Sequence, residues 1–194
     1  MKEFIFSLAS VSAYFQSRNY EMEVKRDRKE DAHEFEKRTW RLRTHINGDG
    51  QIIIPAEAFQ KSIQYASGYL SEKIPGKGQQ TWTKHFRSGI LVPDDLVLPE
   101  RRETINGVWL SLNPQGKVNG GTRVPKCMPV IPQWAGDLRV IVLDDLITDE
   151  VLRRTVEHAG AFSGIGQNRP QNGGRHGRFQ VVEMIEVGLP MAAE

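Results

Sequence analysis

The sequence predicts an α+β domain in which two helices cover one face of an antiparallel sheet. Three observations carry this. Apolar residues alternate at Phe4, Phe6 and Leu8, at Leu138, Val140 and Val142, and at Phe179, Val181, Ile185 and Val187, the period of a half-buried strand. Phe59, Ile63, Ala66 and Leu70 form one helical stripe, and Val151, Leu152, Thr155, Val156 and Ala159 form a second. With insertions at about 15–54, 71–88 and 99–135 set aside, the order is strand, helix, strand, strand, helix, strand. That βαββαβ order is the ferredoxin-like arrangement, and the 194 residues suit one such domain with long inserted arms.

The first strand is predicted over Phe4 to Tyr14. Glu21 to Arg38 is a mixed-charge run with little apolar surface, read as a solvated excursion, helical or partly mobile. Trp40 to Ile54 reads as a hairpin turning at Asn47-Gly48-Asp49-Gly50. Its Trp40, Leu42, Thr44 and Ile46 would face inward, and Arg41, Arg43 and His45 outward. That basic face could meet a phosphate backbone or pair with the acidic residues just upstream. Pro55 suits the first turn of the first core helix.

Lys73, Lys77, Lys84 and Arg87 form a basic segment without an acid among them, interleaved with Trp82, His85 and Phe86. Cations that track phosphates and rings that stack on bases suit single-stranded nucleic acid. Alternatively Trp82 and Phe86 anchor a surface loop to the core. Gly89 to Leu98 is the next strand. From Pro99 to Ala135 the prolines and glycines predict an irregular arm with a short strand at Val108–Leu112. After the Leu138–Val142 strand, Thr148 caps a helix whose first turn holds Asp149 and Glu150, and Ile147 and Leu152 are spaced as a hydrophobic staple.

Composition excludes several classes. Hydrophobic residues make up 39% and charged residues 26%, within the globular range. No apolar run is long enough to span a membrane, and the first residues do not read as a signal peptide, so a cytoplasmic protein is expected. Cys127 is the single cysteine, which leaves no internal disulfide and no multi-cysteine zinc site. A formal net charge of +2 says little, because the distribution of charge matters more than its sum.

The most distinctive stretch is Gly160 to Phe179, G-A-F-S-G-I-G-Q-N-R-P-Q-N-G-G-R-H-G-R-F. Its only charged residues are Arg169, Arg175 and Arg178, with His176 as a further donor. A flexible, acid-free loop with arginine forks and glycines such as Gly164 and Gly166, which admit close approach, suits a polyanion. The same residues also fit a helix C-cap at Gly160 and a plain connection into the last strand. The run is not a dinucleotide fingerprint, lacking the third glycine, nor a P-loop, lacking the Lys-Ser/Thr pair. Arg178 either contacts phosphate or pairs with Asp144 or Asp145.

Gly-Ile-Gly, an arginine, then Gly-x-x-Gly-Arg-Phe running into a strand resembles the glycine-rich loop of the RAMP superfamily, the RNA-recognition-motif-like proteins of CRISPR systems. The Ile-Pro-x-x-x-Phe-x-x-Ile run at Ile54–Ile63 resembles the start of their first helix. Within that superfamily the chain is similar to the CRISPR backbone subunits, and to small standalone proteins of phages and other mobile elements. The resemblance is specific over Leu138 to Val187 and looser elsewhere. It implies an RRM-like domain that coats single-stranded RNA through this loop and the basic arms, as a homo-oligomer or with CRISPR complex subunits, without a cofactor or catalysis.

Two alternatives remain open. One is an interaction protein of a mobile element that mimics or blocks a backbone subunit, since the chain is short for such a subunit. The other is a metal-independent RNA endonuclease using His45 or His176 as a general base. The five histidines are scattered without metal-ligand spacing, and Asp94-Asp95 and Asp144-Asp145 mark a strand end or a helix approach more simply than a metal site.

Overall fold

The computed structural model describes residues 1–20, 23–112 and 123–188. In chain order the elements are strand β1 (Lys2–Ser10), strand β2 (Tyr14–Phe15), helix α1 (Ala32–Thr39), strand β3 (Gln51–Ile54), helix α2 (Ala56–Leu70) and helix α3 (Thr83–Ser88). Strands β4 (Ile90–Leu91), β5 (Leu96–Arg101), β6 (Asn106–Leu112), β7 (Val124–Ile131) and β8 (Ala135–Val142) follow. Helix α4 (Asp149–His158) and strand β9 (Phe179–Val187) close the set. The result is a mixed α+β structure with several antiparallel sheets and four α-helices among the described residues.

The main sheet runs in the order β4-β8-β1-β9 and is antiparallel throughout. Phe4 lies opposite Val140 and Phe6 opposite Leu138, so the alternation in each strand turns the same face inward. Phe4, Phe6, Leu8, Leu138, Val140, Val142 and Phe179 are all buried. Against them pack Phe59, Ile63 and Ala66 of α2 and Val151, Leu152 and Val156 of α4, in one continuous core. Phe59 meets Phe179 edge-on, with centroids 5.7 Å apart. The second face carries Glu3, Ile5, Ser7, Asp137, Arg139 and Ile185, in paired positions. Arg139 binds Glu3 at 2.7 Å and Asp94 at 3.3 Å there.

Both core helices begin with satisfied ends. Thr148 Oγ1 accepts from Val151 N–H, and Ile147 and Leu152 are both buried, as a staple requires. Helix α2 has Pro55 before it, and its Ala56 N–H is bonded by Asp95 Oδ1 at 2.8 Å. Asp95 thus caps a helix 39 residues upstream.

The inserted arms hold more structure than their composition predicts. The charged run condenses into α1, capped by a reciprocal Asp31–Glu34 box. The expected hairpin at 40–54 forms only over its inner half, where Asn47 N–H binds Gln51 C=O at 3.0 Å, Ile46 bridges Ile52 and Ile53 N–H binds His45 C=O at 3.1 Å. Trp40 to Arg43 is a 3₁₀ turn instead, and β3 pairs with β5. Alternation misleads here because Trp40 is buried by docking of its turn on β7, not by pairing in a ladder. The strand expected at Gly89–Leu98 splits into β4, in the main sheet, and β5, in a second one.

The arm expected to be irregular is largely a β-ribbon. β6 pairs with β7 over Asn106↔Val130 to Leu112↔Val124. Prolines survive inside β7 because Pro125, Cys127 and Pro129 present the side of the strand away from β6. Cys127 N–H on that side donates to Glu36 Oε1 at 2.9 Å, and the two prolines have no N–H to satisfy. Glu36 is fully buried and also binds Arg43 and Lys126. Burial alone would raise its carboxyl, but Arg43 first, then the Cys127 amide and Lys126, hold it below the usual glutamate range.

Candidate nucleic-acid interface

The glycine-rich run is a built structure, not a flexible connection. Helix α4 ends in a π-helical turn, Ala159–Ser163. A Cβ on Gly160 would stand 2.0 Å from the Phe179 carbonyl oxygen, so glycine lets the turn lie directly on β9. Beyond it the chain doubles back. Ile165 N–H binds Gly177 C=O at 2.9 Å and His176 N–H binds Asn168 C=O at 3.0 Å, with a 3₁₀ turn at Pro170–Asn172 between them. This ribbon docks on the segment around β2, through Gln167 N–H to Phe15 C=O (3.0 Å) and Gly177 N–H to Ala13 C=O (2.8 Å). Ile165 is its buried anchor.

Gly164 and Gly166 are therefore spent inside the molecule. Gly164 faces Pro170, and a Cβ on Gly166 would stand 2.4 Å from the Phe15 carbonyl oxygen. The close approach that their sequence foretold is to the protein's own chain.

The arginines divide. Arg178 donates to the Ala161 carbonyl and pairs with neither Asp144 nor Asp145, correcting the expectation of an aspartate partner. It also lines a pocket of about 390 Å³ with Val11, Glu157 and Val181. Arg169 is half-buried and its Nε donates to Gln171 Oε1 at 3.1 Å. Arg175 is exposed and has no side-chain partner among the described residues. His176 lies against Phe15, centroids 4.4 Å apart, and burial followed by the neighbouring Arg175 lowers its pKa.

The segment from Lys73 to Arg87 also divides. Trp82 is 6% exposed and packs in the core, so its ring is not offered to a base. His85 Nδ1 lies 2.6 Å from Asp144 Oδ2, tying α3 to the end of β8; this bond leads the lowering of the Asp144 pKa. The side chains of Lys73, Lys77, Lys84 and Arg87 are exposed, and none has a carboxylate within ion-pair distance among the described residues.

The expected basic face at 41–45 does not form. Of its two readings, pairing with upstream acids holds for Arg43, which binds Glu36. Arg41 lies over the Trp40 ring at 4.3 Å. His45 is half-buried, its N–H bonded to Gln16, and burial lowers its pKa. Neither His45 nor His176 has a carboxylate bonded to its ring among the described residues.

On α2 and the π-helical turn lies a row of rings that sequence reasoning missed. Tyr65 and Tyr69 on α2 stack with centroids 6.4 Å apart, Tyr69 and Phe162 at 5.9 Å, and Phe162 and His158 at 5.2 Å. The readable signal was an i, i+4 aromatic pair lying off the buried Phe59–Ile63–Ala66 stripe. Among the described residues no group of three or more His, Cys, Asp or Glu converges as a metal site, and no helix is long and apolar enough to cross a membrane. Compared with protein-family models and with curated proteins, the chain matches none.

Proposed function

We propose that the chain is a single-stranded RNA-binding protein of RAMP type, similar to a CRISPR backbone subunit, and that it binds without catalysis. The observation that carries this is a set of five exposed cations, Lys73, Lys77, Lys84, Arg87 and Arg175, none neutralised by a described carboxylate. The other cations of the described arms divide. Arg18, Arg38, Arg43 and Lys126 hold acids. Lys25, Arg26, Arg28, Lys29 and Lys37 are exposed without an ion pair among the described residues, but stand in a run interleaved with acids. Unpaired positive charge on two segments that contain no acid is what a polyphosphate chain recruits.

The ferredoxin-like, RRM-like reading of the core is supported by the strand order β4-β8-β1-β9 with α2 and α4 in the two crossovers. The long arm built on β6 and β7 suits contact with a neighbouring copy along RNA, which favours a homo-oligomer on long RNA.

The test is a binding titration of an unstructured RNA oligonucleotide across salt concentrations. Contacts from five cations predict a slope of log affinity on log salt of roughly −3 to −4, at about 0.7 per contact. A flat response, or no binding at low salt, overturns the reading.

One observation favours a second reading, a mobile-element protein that mimics or displaces a backbone subunit. The main sheet exposes Val182 at 62% and Ile185 at 49% on edge strand β9, and Leu91 at 44% on the opposite edge strand β4, apolar side chains suited to protein contact at either margin. Freshly purified protein free of nucleic acid, by its ultraviolet absorbance ratio, would favour this second reading.

A further inference from the structure

Resting on the RNA-binding reading above, we propose that Tyr65, Tyr69 and Phe162 form a platform on which unpaired RNA bases stack. The rings are 38%, 63% and 48% exposed, against a core that buries nearly every other large aromatic. Successive planes along the row lie within 19° to 22° of parallel, so the rings present a common orientation, not a scatter of surface side chains. Neither tyrosine hydroxyl is hydrogen-bonded to a described residue.

The row is held rigidly at both ends. Tyr65 and Tyr69 project from a helix whose opposite side is core. Phe162 projects from the π-turn that Gly160 seats on β9, and Ser62 of α2 bonds the Ala159 carbonyl of the same turn at 3.3 Å. Rings fixed before binding lose little entropy when a base arrives.

Charge around the row fits a polyanion. Tyr69 is followed directly by the basic segment from Lys73, and Phe162 by the loop that bears Arg169 and Arg175. The nearby carboxylates are already neutralised: Glu57 by Lys61, Glu72 by Arg154 and Glu157 by Arg153. A strand that lays its bases over the rings meets acids already held by cations at Glu57, Glu72 and Glu157. The main sheet has no aromatic ring at its outward positions Glu3, Ile5, Ser7, Asp137, Arg139, Ile141 and Ile185, so it offers no competing stacking surface there.

The experiment compares oligoadenylate with an abasic oligonucleotide of the same length, on wild type and on the double variant Tyr69→Leu/Phe162→Leu. Leucine keeps apolar bulk and removes the π-face. Wild type should bind oligoadenylate at least about tenfold more tightly than the abasic chain, since each stacked base adds about fivefold or more and the row offers several rings. The double variant should lose most of that preference and keep its abasic affinity and salt slope. Equal binding of both oligonucleotides by wild type, which needs no variant, overturns the platform and leaves the phosphate contacts standing. An undiminished preference in a folded double variant overturns it equally. No binding of either oligonucleotide overturns the platform and the RNA reading together.

Discussion

Arg43 reaches both carboxylate oxygens of Glu36 through Nη2, at 3.0 and 2.8 Å. The pair closes the first arm over β7, and it accounts for one arginine that the sequence offers as an RNA contact. A buried pair that loses one partner leaves an uncompensated charge, at a cost of about 3–5 kcal/mol. Glu36→Ala would strand Arg43 and the Cys127 amide together. Its melting temperature should fall by roughly 10 °C, and a shift of a degree or two would show that the arm is not held here.

Stability should decline as the solution is acidified, in two stages. His45 and His176 have pKa values lowered below the ordinary 6.5, by burial first and then by Arg18 and Arg175. Their neutral forms favour the folded state, so stability is complete above that value and falls as the unfolded chain takes up protons below it. Glu36 is lowered as well, so its contribution is present above the carboxylate range and is lost as pH falls through its folded value. Thermal melts from neutral to acidic pH should show a first decline that His45→Gln/His176→Gln removes and a second that it keeps.

Three glycines of the loop should differ sharply on conversion to alanine. A Cβ at Gly177, where φ is +72°, would stand 1.8 Å from the Ile165 carbonyl oxygen, and one at Gly160 would stand 2.0 Å from that of Phe179. Each should cost on the order of 3 kcal/mol, because backbone must move. Gly173 has φ +74° but open space around it, so only the left-handed conformation of about 1–2 kcal/mol is at stake. Denaturant midpoints of the three variants would test the ranking.

Binding and stability should separate along the basic segments. Arg169→Ala/Arg175→Ala should weaken RNA binding by about 1–3 kcal/mol, with the melting temperature little changed. His85→Ala should do the reverse, since its partner is Asp144: a modest loss of stability, below about 1 kcal/mol for a partly exposed pair, with RNA affinity intact. If the arginine pair binds like wild type, the loop is only a connection.

Much of the core was legible because periodicity reports burial directly. The alternation of Phe4, Phe6 and Leu8, the Phe59–Ile63–Ala66 stripe and the Thr148 cap all describe local geometry, and each lies where its pattern points. The arms were not, because their burial comes from distant partners. Trp40 is covered by β7 and Glu36 by Arg43, Lys126 and Cys127, none of which a local window contains. The loop was half legible. Its glycines did mark close approach, but only the fold shows that Phe15, Phe179 and Ile165 are what they approach. Only half of the ring row is legible, the i, i+4 pair Tyr65 and Tyr69, because Phe162 and Tyr69, 93 positions apart, meet only after α2 packs on the π-turn.

The prolines of β7 leave the β6–β7 ribbon with two unlike margins. On the far side of β7, β2 already pairs with Val130 and Ile131, Pro125 and Pro129 offer no donor, and Glu36 holds the amide between them, so an incoming strand finds no free N–H there. β6 ends its sheet, and Asn106 to Leu112 keep an unpaired row of amides and carbonyls among the described residues. Growth by strand addition is thus one-sided. Any chain that joins this ribbon edge to edge must do so along β6, and a proline placed there would make the arm inert to self-association on both sides.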